Sequence, residues 1–456
     1  MLESTPRESS ETAENAAPAA KPAVGAAHRY YMLAVLLLVF TVSVLDRHIM
    51  NALIEPIRLD LGLSDTQIGF LTGVAFALIY AIAAFPAARL ADSWSRTGII
   101  AVALGVWSAM TMLCGMAQNA IQLFLARFGV GFGEAGGSAP SQALIGDIFP
   151  RHERATAMSV LTVSQPLGIA GGLMLGGWAQ EQFDWRIAFL IAGVPGLLLV
   201  PLVLFTFPKR PKVAKKPEAA KAPPFLATIR HLLSIRTMPL MMCAATLQTL
   251  LTMGATAWLP AFFMREHAMS PTAVGASLGA ALGAASLIGH LTGGPLLDWL
   301  GRRDLRWHFW VPTIAGPVAG VLVLIAANAA PALAIPLFGL QVGVTALFAG
   351  PLLAITMNLA PVTARATGAA VLTFSVNVIG IGLGPQVLGL FSDLLRPAFG
   401  EGSLRVAFMC MTVFVVPATI LFLIGAGTYR KDTADADARN AEIERALARE
   451  SEGAGG

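Results

Sequence analysis

The chain is predicted to be an all-α integral membrane protein with twelve transmembrane helices in two pseudo-symmetric six-helix bundles. Three observations predict it. Of the 456 residues 55% are hydrophobic and only 13% charged, with a mean hydropathy of +0.68, far from the balance of a soluble domain. Apolar runs long enough to cross a bilayer, which takes roughly 20 residues, recur twelve times. Features of the first half recur in the second at a nearly constant offset.

The spans are expected at about 30–54, 65–91, 97–118, 120–147, 155–180, 186–207, 238–264, 270–297, 307–329, 331–359, 365–392 and 405–428. Residues 1–28 are rich in Ala, Pro and Glu and lack an apolar core, so they read as a disordered tail with no cleavable signal peptide. A first bundle then occupies 29–207. The stretch "FPKRPKVAKKPEAAKAPP" reads as a linker within 208–236. After it "FLATIRHLLSIR" sets Phe225, Leu226, Ile229, Leu232 and Leu233 on one helical face, which suits either a short interfacial helix or an extra turn of span 7. The second bundle covers 237–428, and 429–456 is a charged, loosely ordered helical tail.

Positive residues stay cytoplasmic in short loops. With the N-terminus inside, 24 of the 31 Lys and Arg lie on the inner side, and only Arg58, Arg186, Arg265, Arg396 and Arg405 lie outside. Both termini are therefore expected in the cytoplasm of a plasma (inner) membrane protein. The net charge of +4 follows from this asymmetry and needs no nucleic-acid partner. Cys114, Cys243 and Cys410 fall in three different spans, without a disulfide framework or metal-ligand spacing. Neither HExxH, GxSxG nor a P-loop is present, so no enzyme and no cofactor is expected. "GVGFG" at 129–133 mimics a nucleotide fingerprint but lies inside a span, where close helix packing explains it.

The internal repeat is carried by named residues. "ARLADSWSR" after span 2 holds Asp92 and Arg96; "GPLLDWLGRR" after span 8 holds Asp298, Arg302 and Arg303. "ERATAMSV" from Glu153 and "ARATGAAV" from Ala364 open spans 5 and 11. The offsets are 206 and 211 residues, as for a six-span unit duplicated in parallel orientation. These features resemble the major facilitator superfamily over residues 30–428. The resemblance implies alternating access. It also implies that the Asp92, Arg96, Asp298, Arg302 and Arg303 loops act as a conformational gate, through cytoplasmic ion pairs in the outward-open state. The first copy departs from the family pattern at Ala88, Ser93 and Ser95.

Ionisable groups within a span cost roughly 2.5–3.5 kcal/mol on insertion scales and are read as functional. Four are clear: Asp46 and Arg47 in span 1, Arg127 and Glu134 in span 4. Asp46 is expected roughly 6 Å outside the midplane, Arg127 roughly 9 Å outside it, and Glu134 near the centre. Arg127 and Glu134 are two turns apart on one face, so an Asp46–Arg127 pair with Glu134 nearby is the expected geometry. Arg47, about 100° round the helix from Asp46, cannot share its face. A carboxylic acid in a low-dielectric cavity favours its protonated form, and a neighbouring guanidinium favours the charged one. Asp46 and Glu134 are thus expected to carry a coupling proton, with Arg127 exchanging between them and an anionic group of the substrate.

The second half offers no Lys, Arg, Asp or Glu away from the ends of spans 7 and 9 to 12. Its polar residues are Gln248, Thr249, Thr252, Asn358, Ser375, Asn377 and Gln386, with His290 in span 8 read as a packing or hydrogen-bonding group. A cavity charged on one wall and apolar on the other fits an amphiphile. Substrate contacts are therefore expected from Arg47, Arg127, Glu134, Gln248 and Asn377. "LDRH", "SDTQIGFLTGVAFALIYAI" and "RFGVGFGEAGGSAPSQALIGDIFPRHERATAMSV" resemble the spinster branch of the superfamily. That resemblance implies a proton-driven transporter of lysophospholipid- or sphingolipid-like amphiphiles, working as a monomer in the bilayer. An organic-anion:proton symporter or a drug-efflux transporter of the same superfamily is the alternative, and a lipid scramblase or channel the more distant one.

Overall fold

The computed structural model describes residues 25–150, 152–207, 225–361 and 365–453. Among them the ordered elements are helices, because a chain in lipid must satisfy every backbone polar group internally. Among the described residues nine helical stretches are long and apolar enough to cross a membrane. The expected twelve are recovered once two breaks and one continuity are recognised. Span 4 is split into Ala120–Ala135 and Ser138–Ile148, and span 10 into Pro331–Ala346 and Ala349–Leu359. Spans 11 and 12 run together in one apolar stretch, Thr367–Glu442. The breaks in spans 4 and 10 fall at equivalent places in the two halves, as a duplicated unit requires.

Spans 1 (Ala26–Ala52), 3 (Arg96–Gly115), 6 (Trp185–Thr206), 7 (Thr237–His267), 8 (Pro271–Gly301) and 9 (Trp307–Ala327) are single helices. Span 2 starts as Asp65–Gly69, passes through a π-helical turn at Phe70–Val74 and continues as Ala75–Ser93. Span 5 runs as Arg154–Thr162 and Ser164–Gln182; span 11 runs as Arg365–Ser375, a π-helical stretch Val376–Ile381 and Gly382–Phe399. Span 12 is Ser403–Met411, a 3-10 turn Thr412–Phe414 and Val415–Gly453.

Polar caps mark the ends of the helices on the face away from the linker. Asn119 accepts from Gln122 N at 3.0 Å, Asp184 from Ile187 N at 2.9 Å, and Ser270, followed by Pro271, from Ala273 N at 3.3 Å. Ser64 and Gln67 form a capping box. Large apolar side chains such as Phe205, Ile121 and Leu198 point outward, where lipid covers them.

The segment after the linker is a separate helix, Phe225–Ser234, and not a continuation of span 7. Leu232 is buried with Met238, Ile355 and Leu372 of spans 7, 10 and 11. Lys209, Arg210, Lys212, Lys215, Lys216 and Lys221 of the linker, and residues 1–24, lie outside the described residues. The first helix begins at Ala26, inside the stretch read as tail, and buries Arg29 against Glu153 at 3.6 Å. The C-terminal tail is an unbroken extension of span 12 to Gly453. It is fastened to the second half: Asp432 accepts from Thr237 N at 2.8 Å, Arg430 pairs with Asp304 at 3.2 Å, and Arg439 donates to Leu359 O at 3.0 Å.

The halves meet along two glycine-lined seams. Between spans 5 and 8, a Cβ on Gly177 would lie 2.1 Å from Pro271 O and one on Gly275 2.3 Å from Leu173 O. Between spans 2 and 11, a Cβ on Gly73 would lie 2.1 Å from Gly382 O. Only glycine permits this approach, and close backbone packing is what holds helices together where lipid removes the hydrophobic driving force.

Candidate functional site

Span 1 packs chiefly against spans 5 and 6 and sends its two charged side chains toward different neighbours. Asp46 is fully buried and points at span 3, where Thr111 Oγ1 donates to Oδ2 at 3.1 Å; Oδ1 has no partner among the described residues. Arg47 points between spans 2 and 4. Its Nε donates to Glu134 Oε2 at 2.7 Å and its Nη2 bonds the same oxygen. The guanidinium also sits 5.0 Å from the Phe76 ring centre and 5.6 Å from that of Tyr80, whose hydroxyl is 3.0 Å from Ser138 Oγ. The Arg47 side chain is 32% exposed while that of Glu134 is 1% exposed, and Glu134 Oε1 has no partner among the described residues.

The expected Asp46–Arg127 pair is therefore replaced by an Arg47–Glu134 pair. Depth along the helices was enough to bring the four groups together but not to choose partners. A span surrounded by other spans has no single inward face, and the long stem of Arg47 reaches a carboxylate that its Cα does not face. Arg127 is 2% exposed, lies 5.7 Å from the centre of the same Phe76 ring, and leaves Nε and Nη1 without hydrogen-bond partners among the described residues. The glycines of "GVGFG" serve packing as expected: Cβ atoms on Gly129 and Gly133 would strike Met110 and Trp107 of span 3, and one on Gly131 would lie 3.0 Å from Phe76 O.

Toward the second half, a cavity of about 380 Å³ lies between Gln165 and Ile169 of span 5 and residues of spans 7, 8, 10 and 11. Asn377 stands on its wall, half-buried, in the π-helical stretch of span 11. Gln248 also borders it, but its amide heads away: its Oε1 would be 3.0 Å from a Cβ on Gly316 of span 9, and neither amide atom has a partner among the described residues.

Among the described side chains, the gate residues do not join the halves in this conformation. Arg96 pairs with Asp147 and donates to Ala143 O at 3.0 Å, all within the first half. The Asp92 side chain lies outside the described residues. Asp298, Arg302 and Arg303 are exposed; Asp298 contributes its backbone carbonyl to Arg302 N at 3.2 Å, and Arg303 stacks 4.2 Å over Trp299. On the linker face, every ion pair between described side chains stays within one half.

The opposite face is locked by a set of charges that sequence reasoning missed. Arg265, at the end of span 7, donates to Asp65 Oδ2 at 2.8 Å and Oδ1 at 2.9 Å, and also bonds Glu55. Arg58 holds Glu55 at 2.8 Å, and Ser392 of span 11 donates to Asp65 at 2.6 Å. Asp393 accepts from the backbone N–H groups of Asp65 and Thr66 at 3.1 and 2.7 Å, so a carboxylate of the second half caps the first turn of span 2. With the glycine seams, this closes the molecule toward the face away from the linker.

Comparisons with known proteins agree with this architecture. Residues 35–385 match the Major Facilitator Superfamily. The chain is 32% identical over 413 residues to an MFS-type efflux pump of Mycolicibacterium smegmatis, covering 87% of this chain and 92% of that protein. It is 26% identical over 430 residues to the mouse sphingosine-1-phosphate transporter SPNS2, covering 89% of this chain and 78% of that one. In structure it resembles a bacterial homologue of the human lysosomal transporter Spinster, in an inward-facing and unoccupied conformation. The TM-score is 0.80 at 26% identity, over 90% of this chain and 99% of that one.

Proposed function

The chain belongs to the Major Facilitator Superfamily, and from that premise and its likeness to spinster-type transporters we propose that it couples proton movement to transport of an amphiphile with an anionic headgroup. The Arg47–Glu134 pair carries the reading. Arg47 is the intramembrane cation within reach of a solute, and its charge is held by a buried carboxylate that has one oxygen unpartnered among the described residues. Protonating Glu134 turns an ion pair into a weaker neutral contact and frees Arg47 for a phosphate or carboxylate headgroup. Deprotonation reclaims Arg47 and expels the headgroup. Proton and substrate are linked through one guanidinium, with buried Asp46 and Arg127 contributing to the local field.

In this reading the linker face is cytoplasmic, the structure is the inward-facing member of the cycle, and the halves rock about the span 5–8 seam. The apolar wall of the second half takes the acyl chain. The efflux-pump relative favours a second reading, extrusion of other amphiphiles through the same site. Both are tested in proteoliposomes with an imposed pH gradient, comparing a lysophospholipid, a cationic amphiphilic dye and a short hydrophilic anion, in wild type and Glu134→Gln. The expected result is gradient-driven lysophospholipid transport that Glu134→Gln abolishes while binding persists. Full gradient-driven transport in that variant overturns the coupling, transport of the dye alone selects the efflux reading, and transport of the hydrophilic anion alone overturns the amphiphile reading.

A further inference from the structure

The cavity between the halves is not chemically blank on its second-half wall. None of its lining residues is Lys, Arg, Asp or Glu, so a charged group placed there would have no counter-ion. Its lining includes Gln165, Gln248 and several threonines, and two of its side chains, His290 and Asn377, carry hydrogen-bonding atoms with no partner among the described residues. His290 of span 8 has Nδ1 2.8 Å from Ser286 O, one turn back. A carbonyl only accepts, so Nδ1 carries the proton; in the neutral ring Nε2 is then an acceptor, and no described residue bonds to it. Asn377 of span 11 offers an amide with donor and acceptor and no hydrogen-bond partner among the described residues. It sits in the π-helical stretch Val376–Ile381, packed against span 7 where a Cβ on Gly380 would lie 2.8 Å from Thr249 Cβ. Such insertions are unfavourable in a helix and recur at functional sites.

We propose that His290 and Asn377 form a recognition site for an uncharged hydroxyl on the substrate, the hydroxyl donating to His290 Nε2 and accepting from the Asn377 amide. The proposal rests on the amphiphile reading above and adds to it: the ligand carries a free hydroxyl between its anionic headgroup and its chain. The restriction follows from the wall's chemistry. A hydroxyl is the smallest neutral group that satisfies an acceptor and a donor together, and a ligand without it leaves both buried and unpaired.

The test is titration calorimetry on the full-length protein in detergent. The two probes are 1-oleoyl-glycerol-3-phosphate, which has a free hydroxyl, and its 2-deoxy analogue, which does not. Wild type is expected to bind the hydroxyl form about 10-fold more tightly. His290→Phe and Asn377→Leu are each expected to bring the ratio near one by weakening the hydroxyl form alone. His290→Gln, which keeps an acceptor, should restore part of the preference. Equal binding of the two probes by wild type overturns the hydroxyl site and leaves the amphiphile reading standing. Equal losses for both probes in the variants also overturn it, because packing rather than recognition would then be at stake. Binding of neither probe overturns the amphiphile reading itself.

Discussion

Replacing Arg265 with Ala tests whether the charge cluster on the face away from the linker sets the conformational equilibrium. Asp65 is fully buried, and Arg265 is its bidentate partner. Without it Asp65 keeps Ser392 and a distant Arg58 Nε at 3.8 Å, and Glu55 keeps only Arg58. Removing one member of a buried pair costs roughly 3–5 kcal/mol. Reorientation of Arg58 toward Asp65 offsets part of this, so the low end, ~3 kcal/mol, applies. The cost falls on the closed state alone, since opening this face delivers water to Asp65. The closed-to-open ratio should therefore drop by roughly 100-fold, at about 1.4 kcal/mol per decade.

The assay is a spin-label distance measurement between Gln118 and Glu401, exposed residues of the first and second halves on this face, in a background lacking Cys114, Cys243 and Cys410. Wild type should give one short distance, and Arg265→Ala a dominant longer one. Adding Asp65→Asn removes the stranded charge and should recover much of the short distance. An unchanged distribution in a folded Arg265→Ala protein would refute the reasoning, as would a double variant no more closed than the single one.

Other outcomes follow from the same contacts. Arg47→Lys keeps the charge but loses the two-nitrogen grip on Glu134 and the stacking over Phe76 and Tyr80, so lysophospholipid transport should fall at least ~10-fold in proteoliposomes. Gly177→Ala forces a Cβ to within 2.1 Å of Pro271 O and should destabilise the folded protein by ~1–3 kcal/mol, read as a lowered thermal midpoint in detergent. Asp393→Asn weakens the cap on span 2 and should shift the Gln118–Glu401 distances the same way as Arg265→Ala but less, by ~1 kcal/mol.

The spans and the duplication were legible because each rests on a local signal: apolar length, or a short motif repeated at one offset. That the charges of spans 1 and 4 gather in one cluster was legible too, because they sit at similar positions along their helices. Partner choice was not legible, because it depends on rotation about the helix axis and on side-chain reach. Arg47 to Glu134 is a choice made by the packing of spans 1, 2 and 4. The Arg265–Asp65 contact joins residues 200 apart, and each looks in sequence like an ordinary polar residue at a span end. "SDTQ" held a usable hint, since the capping box needs only Ser64 and Gln67 and leaves Asp65 unexplained. The breaks in spans 4 and 10 were missed because both halves of each break stay apolar enough to read through.

The C-terminal helix has a mechanical meaning. From Arg430 to Gly453 it is 24 residues long, a rod of roughly 36 Å rigidly continuous with span 12 and fastened to spans 7 and 10. Anything attached at its end travels with the second half as a pointer on a pivot, moving roughly 0.6 Å for each degree of rotation by simple lever geometry on that length. A dye placed there against one in the first half would turn small angular changes in the bilayer into distances large enough to follow in single molecules.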